Sequence, residues 1–288
     1  MSPIELSNES VSLEILPSVG GKISSLIDKK SDHEWLWTNP WLKLRNPHYG
    51  ESYVSSLDFG GWDEIFPSIE PCRISTPEGE VVVPDHGDLV QLPWRVVASG
   101  MNCIEMEVEG RCLPFLFRRH IDLEGAKIRL NYSVQNLANY PFPWMWCTHL
   151  LMPLDPDTML EAAADFHVFH GMGTAACLHD RAISWSELPP RSERWSAKLF
   201  SQFRSLNSVR ISKRDGLSLR LDWNSFDIPY LGLWVNHGGW SGCGSDPYLN
   251  LGIEPTTQPA DQLSAVKDPP QLQPRETIQW SLDVTLNS

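Results

Sequence analysis

Three short stretches place a titratable side chain where a mere bystander would be costly. In LNLGIEPTTQPAD, residues 249–261, an apolar run delivers one carboxylate, Glu254, directly before Pro255. In FPWMWCTHLLMP, residues 142–153, His149 lies inside a continuous apolar strand. In PDHGDLVQLPW, residues 84–94, His86 is followed by Gly87, so the backbone can turn sharply and present the imidazole. Each residue also has a plain structural role open to it. His149 could be a hydrogen-bonded core residue, His86 part of a charge-stabilised turn with Asp85 and Asp88, and Glu254 one half of a loop salt bridge. Taken together, two imidazoles and one carboxylate suffice for paired proton transfer. Reversible opening of a hemiacetal ring uses that set. The carboxylate takes the anomeric proton while an imidazolium protonates the ring oxygen, and neither step needs a metal or cofactor. Apolar walls are expected to raise the Glu254 carboxyl toward neutrality and make it a better base. Pro255 is expected to end the strand and leave the carboxylate at the rim of a sheet.

The elements that must hold these groups read as strands. VSLEIL (11–16), GKISSLI (21–27), NCIEMEVEGRC (102–112), FLFRRHIDLE (115–124) and AKIRLNYSVQNL (126–137) alternate apolar and polar residues. SVRISK (208–213), LSLRLDW (217–223), YLGLWVN (230–236) and TIQWSLDVTL (277–286) continue the pattern. The turn signals EGA, RDG and NHGG between such runs suit antiparallel connections. Helical signal is thin. RSERWSAKLFSQF (191–203) reads as a short helix, and DTMLEAAADF (157–166) is ambiguous. The expectation is one all-β domain over residues 1–288, a large antiparallel β-sandwich with long functional loops in 38–100 and 152–207.

Composition removes several function classes. The 288 residues carry a formal net charge of −13, which argues against nucleic-acid and anionic-membrane partners and disfavours strongly anionic ligands. The N-terminus MSPIELSNES has neither a basic start nor an apolar core, so no secretory signal is expected. The most apolar long stretch is too short and too rich in proline to span a bilayer. Six cysteines without a C-x-x-C pair read as reduced thiols in a cytosol-like compartment. No Rossmann glycine fingerprint, P-loop, H-E-x-x-H or G-x-S-x-G occurs, so nucleotide, zinc-protease and serine-hydrolase readings lack their motifs. His167 and His170 are an odd number apart and are expected on opposite strand faces, which disfavours a paired metal site. Thirteen tryptophans mostly fill the core, and a few are expected to line a pocket, since flat aromatic faces suit the C–H faces of sugars.

At this point the chain resembles the aldose 1-epimerase (galactose mutarotase-like) family in its broad form. The likeness rests on VSLEILPSVGGKISSLI, GGWDEIFPSI (60–69), DHGDLVQLPWRV (85–96), RLNYSVQNLANYPFPWMWCTHLLM (129–152) and NLGIEPTTQPAD (250–261), the last two being the more specific. The resemblance implies a single supersandwich domain, a site on one concave face and no cofactor or metal. It implies Glu254 as general base, His149 as general acid and His86 as the group that polarises the sugar near its ring oxygen. The sequence departs from the galactose type, reading MWCTHLL around the second histidine and DHGD around the first. It also lacks the arginine that follows the first His-Gly in the hexose-6-phosphate type. That leaves Arg73 and Lys43 as the nearby candidates for an anion contact.

Trp62 and Asp63 of GGWDE are expected to touch substrate, as are Trp234 and Asn236, which share a strand face. His237 reads as a loop residue. The expected activity is interconversion of α and β anomers of a free sugar, with a small-molecule sugar as partner. The rivals are a carbohydrate-binding or regulatory protein that keeps the pocket without turnover, and a glycoside-processing enzyme on the same fold. The latter is expected to carry an added helical domain.

Overall fold

Alternation of apolar and polar residues drives the chain into strands that bury one side chain in two. The computed structural model describes residues 2–162, 165–202, 207–244 and 248–287. Among these, two large antiparallel sheets dominate. The first runs, in spatial order, through Ile4–Ser7, Val11–Leu16, Lys22–Asp28, Trp62–Ile65, Cys147–Pro153, Leu249–Thr256, Tyr230–His237, Trp195–Gln202, Asp165–Gly173 and Arg181–Ser184, with His33–Glu34 paired beside Lys22–Asp28. The second runs through Met159–Glu161, Asn207–Ser212, Ser218–Trp223, Thr277–Asn287, Lys127–Asn136, Phe115–Glu124, Cys103–Glu109 and Arg95–Ser99. The expected β-sandwich is therefore the architecture, and every strand anticipated from alternation is present.

The sheets meet over an aromatic core. Tyr132 and Trp280 of the second sheet stack with ring centroids 5.7 Å apart, and Trp146, just before the Cys147–Pro153 strand of the first sheet, packs on both. Within this core lies an ion pair. Arg119 and Glu64, both fully buried, approach to 3.3 Å. Glu64 also accepts from Tyr132 Oη at 2.8 Å and Trp146 Nε1 at 3.1 Å. Burial pushes the Glu64 carboxyl up to about 7, against the pull of Arg119 and these hydrogen bonds. Arg119 belongs to the second sheet and Glu64 to the first, so the pair joins the two layers.

Several sequence expectations fail here. The stretch read as a helix over 191–203 contains the strand Trp195–Gln202, and the ambiguous 157–166 contributes to Met159–Glu161 and Asp165–Gly173. Two facts defeat the helix. Trp195–Gln202 is almost wholly buried, and it is paired on both sides. Its apolar and polar residues fill both faces of an interior strand, so period two never shows. The region 152–207, expected to be a long loop, thus carries four strands. The other expected loop, 38–100, yields Trp62–Ile65, an interior strand of the first sheet.

Pro255 does not end its strand, which runs from Leu249 to Thr256. Leu231 faces Pro255 on one side. On the other, paired positions are Cys147–Thr256 and Leu150–Ile253, and pairing lapses between them. A residue without an N–H is tolerated where the ladder is already open. Glu254 is consequently 1% exposed and interior, not at a rim. No helix among the described residues is long and apolar enough to cross a membrane.

Candidate functional site

The register of the first sheet brings the two strongest candidates together. The pairs Cys147–Thr256 and Leu150–Ile253 set His149 opposite Glu254. His149 Nδ1 lies 2.9 Å from Glu254 Oε1. An ionised carboxylate only accepts, so Nδ1 carries the proton of this hydrogen bond. Alternation then sorts the neighbours. Cys147, His149 and Leu151 share one face of their strand, and Asn250, Gly252 and Glu254 share the same face of the next. On the far side, Gly232 faces Glu254 and Trp234 faces Gly252. A Cβ on Gly232 would stand 3.2 Å from both Cβ and Oε2 of Glu254, so the absence of a side chain there makes room for the carboxylate.

A lysine completes this group. Lys198, opposite Trp234, donates a very short hydrogen bond to Glu254 Oε2 and lies 3.4 Å from Asp261 Oδ1. Burial alone pushes the Glu254 carboxyl up. The Lys198 ammonium and the His149 ring outweigh it and hold the carboxyl at about 2. The expectation of a raised value is thus reversed. It counted the apolar walls and missed the cation, which lies 56 residues away in the chain. Burial likewise pulls the Lys198 amine down, but Asp261 and Glu254 more than reverse this and leave it raised.

The remaining wall comes from the 38–100 region. His86 takes φ 60°, and Gly87 follows at φ 70°. A Cβ on Gly87 would meet the Phe66 carbonyl oxygen at 2.1 Å, so only glycine permits this turn. His86 Nδ1 lies 2.8 Å from Asp85 Oδ1. Asp85 also accepts from the Tyr53 backbone N–H at 2.7 Å and from Ser52 Oγ at 3.0 Å. Burial pushes the Asp85 carboxyl up, yet these donors, His86 foremost, hold it below its ordinary value. The Tyr53 ring stacks on His86 with centroids 3.8 Å apart. The His86 and His149 rings are 6.1 Å apart, close enough for one small ligand to touch both.

These groups line a cavity of about 350 Å³. Its walls include Tyr53, His86, His149, Lys198, Trp234 and Glu254, with Trp240 packed edge-on to Trp234 at 5.6 Å. The volume lies at the lower end of the range typical of small-molecule sites.

No family model matches this sequence, and no curated protein does. Solved structures do. The Slr1438 protein from Synechocystis sp. PCC 6803 superposes with a TM-score of 0.75 at 15% identity, over 99% of this chain and 96% of that one. A galactose mutarotase related enzyme from Lactobacillus acidophilus gives 0.70 at 15%, over 100% and 98%. A GalM/aldose epimerase homologue from C. elegans gives 0.69 at 14%, over 99% and 98%. The chain has the galactose mutarotase-like fold.

On this galactose mutarotase-like sandwich, the residues singled out in sequence separate into those at the cavity and those elsewhere. Glu254, His149, His86 and Trp234 line it. Asp63 stands behind the wall, accepting from Tyr53 Oη at 2.7 Å and ion-paired to Lys22. Trp62 points the other way, fully buried, its indole N–H bonded to Thr148 Oγ1. Adjacent residues of a strand face opposite sides, so both could not meet one ligand. Asn236 is buried and holds the Trp240 loop, donating to the Trp240 carbonyl at 3.0 Å and accepting from the Gly238 N–H at 3.1 Å. Arg73 is exposed on the Cys72–Thr76 and Gly79–Val83 hairpin, where it pairs with Glu80. Lys43 is exposed and does not line the cavity. His237 packs on Trp195 at 4.9 Å, and burial, aided by Arg191, pulls its pKa down to about 4.

His170 lines the cavity with Phe169 and Met172. The expectation that His167 and His170 face opposite sides fails. A bulge between Val168 and His170 shifts the register, so His167 opposes Phe200 and His170 opposes Lys198. Phe200 and Lys198 share a face, and so do the two histidines. They are nonetheless separate in use, for His167 pairs with Asp180. Among the described residues, the one group with metal-ligand spacing is Cys103, His120 and Asp122, on the second sheet. Its members alternate across a strand pair, which a linear motif search passes over. Lys198, Tyr53, Asn250 and Asp261 were also missed. Only the T-Q-P-A-D run around Asp261 carried any local signal.

Proposed function

We propose that this chain is an aldose 1-epimerase-like enzyme that interconverts the α and β anomers of a free sugar. The observation that carries the reading is the cluster itself: one buried ionised carboxylate hydrogen-bonded to one imidazole, with a second imidazole 6.1 Å from the first, around one cavity. A carboxylate offers about four lone-pair sites, and His149, Lys198 and the Cys147 thiol use three, so Glu254 retains acceptor capacity for an anomeric hydroxyl. Glu254 takes that proton. His149, in its imidazolium form, gives its Nε2 proton to the ring oxygen, and the C–O bond opens. Rotation about the C1–C2 bond turns the other face of the aldehyde to the chain hydroxyl, and the reverse transfers close the other anomer. His86, oriented by Asp85, donates to the sugar near the ring oxygen, and Trp234 offers its face to the C–H groups.

A second reading, a carbohydrate-binding protein without turnover, is favoured by one fact. A carboxyl held at about 2 is a weak base for a proton as firmly held as that of a hydroxyl. Anomer-exchange NMR and binding calorimetry on wild type and Glu254→Gln separate the two. The enzyme reading expects Glu254→Gln to lower exchange on the order of 10²- to 10⁴-fold with binding retained. Binding without accelerated exchange in the wild type establishes the second reading instead.

A further inference from the structure

Asn250 lies four residues before Glu254 on the same face of the same strand, and it lines the same cavity. It is 1% exposed, yet neither Oδ1 nor Nδ2 has a hydrogen-bond partner among the described residues. A buried primary amide with both ends unpaired is destabilising, and such groups are rare in folded proteins. Its cross-strand neighbour Asn236 shows the contrast, since that amide spends both ends on the Trp240 loop. Asn236 thereby fixes the indole that forms the wall beside Asn250, and Asn250 is left to the cavity.

The charges lining the cavity narrow what can meet that amide. Asp58, Glu70, Asp85, Glu254 and Asp261 contribute carboxylates, whereas Lys198 is the only lysine or arginine there among the described residues. Lys198 is already committed to Glu254 and Asp261. Glu70 has no side-chain partner among the described residues; burial raises its carboxyl, and the nearby Asp261 and Asp85 raise it further. A phosphate or carboxylate group would enter against this field with no lysine or arginine free among the described residues to receive it, leaving the rings of His86, His149 and His170 as its nearest donors.

We propose that Asn250 is the specificity-determining residue of this cavity and that it reads two adjacent hydroxyl groups of a neutral sugar. One hydroxyl donates to Oδ1 and the other accepts from Nδ2, so that a vicinal diol satisfies both orphaned ends at once. The proposal rests on the reading of the cavity as a sugar site, though it does not require turnover. A site built to pair a hydroxyl discriminates strongly against the deoxy analogue, because its own polar atoms are then stranded.

The test measures binding by calorimetry for glucose, galactose, mannose, their monodeoxy analogues and their 6-phosphates, on wild type and Asn250→Leu. Leucine has a similar shape and removes both unpaired atoms. The expected result is a melting temperature for Asn250→Leu equal to or above that of wild type without sugar, together with a Kd for the best neutral sugar raised roughly 10- to 100-fold. The two monodeoxy sugars that lack one or the other hydroxyl of that diol are each expected to bind wild type more weakly and to lose little on Asn250→Leu. The 6-phosphates are expected to bind wild type more weakly than the parent sugars. Equal sugar affinity in the two proteins overturns the proposal, as does a wild type that binds none of the panel or prefers a 6-phosphate. A wild type that binds through Asn250 without speeding anomer exchange leaves this proposal standing and removes the enzymatic reading alone.

Discussion

Lys198 and Glu254 lie on strands separated by a third, and their charges meet above the residue that has no side chain. Glu254 faces Gly232, Gly232 faces Phe200, and Lys198 is two residues from Phe200 on the same face. The lysine stem therefore crosses the intervening strand diagonally over Gly232 to reach Oε2. This arrangement sets the charge state of the candidate base and gives the molecule a testable weakness.

Removing the cation should move the titration of Glu254. In wild type the carboxyl is held at about 2, below its ordinary 4.5, so exchange activity should show no acid limb from this group between pH 4 and 6. In Lys198→Met, burial is opposed chiefly by His149 and the carboxyl rises. The acid limb of kcat/KM then moves to higher pH. The stability linkage has the matching sign. A depressed carboxyl contributes stability present above about 4.5 and lost as pH falls through about 2, and Lys198→Met should shrink that contribution. An unchanged pH–rate profile in the variant would show that Lys198 does not govern Glu254.

Filling the gap should misplace the carboxylate without unfolding the sheet. A Cβ at Gly232 stands 3.2 Å from Glu254 Oε2, closer than ordinary van der Waals contact. Gly232→Val adds two further methyl groups in the path of Lys198. Displacement of a catalytic group by about 1 Å costs on the order of 10²-fold in rate. Anomer exchange should fall by that order while the far-UV circular dichroism stays that of a β protein. Full activity in the valine variant would contradict the geometry.

The buried pair between the sheets makes a separate prediction about stability. The Glu64 carboxyl is raised from 4.5 to about 7 by burial. A group raised in the folded state contributes stability that is complete below about 4.5 and is lost as pH rises through about 7. Wild-type stability should therefore decline over that interval, and Glu64→Gln should flatten the decline, as read by urea midpoints at several pH values. Arg119→Met offers the converse check. It leaves Glu64 buried without its cation and should cost about 3–5 kcal/mol.

Asp85 should act through His86. It accepts from the His86 ring and from the Tyr53 turn, joining two walls of the cavity. Asp85→Asn keeps the shape and removes the charge. Loss of one charged hydrogen bond corresponds to roughly tenfold or more, expected in kcat more than in KM. Equal loss in His86→Ala and in the double variant Asp85→Asn/His86→Ala would place both effects on one path. Strict additivity of the two single losses would separate them.

The alternation of VSLEIL, FLFRRHIDLE and TIQWSLDVTL settled the strands and the sandwich, because period two records which face each residue buries. Glu254, His149 and His86 were legible because each stands in surroundings that make a lone titratable group conspicuous. The Gly87 turn was legible because glycine takes a left-handed backbone freely, whereas the Phe66 carbonyl that a Cβ there would strike came into view only with the fold. What the sequence could not hold was register. Lys198 lay in a stretch that reads as helix, since an interior strand buried on both faces loses its alternation. Asn250 looked like any polar residue until the fold buried it with both ends unpaired among the described residues. The facing of Trp62 and Asp63, the bulge that turns His167 and His170 to one side, and the lowered carboxyl of Glu254 share one cause. Each depends on which residue of a distant strand lies opposite, and cross-strand pairing is decided only when the whole sheet closes.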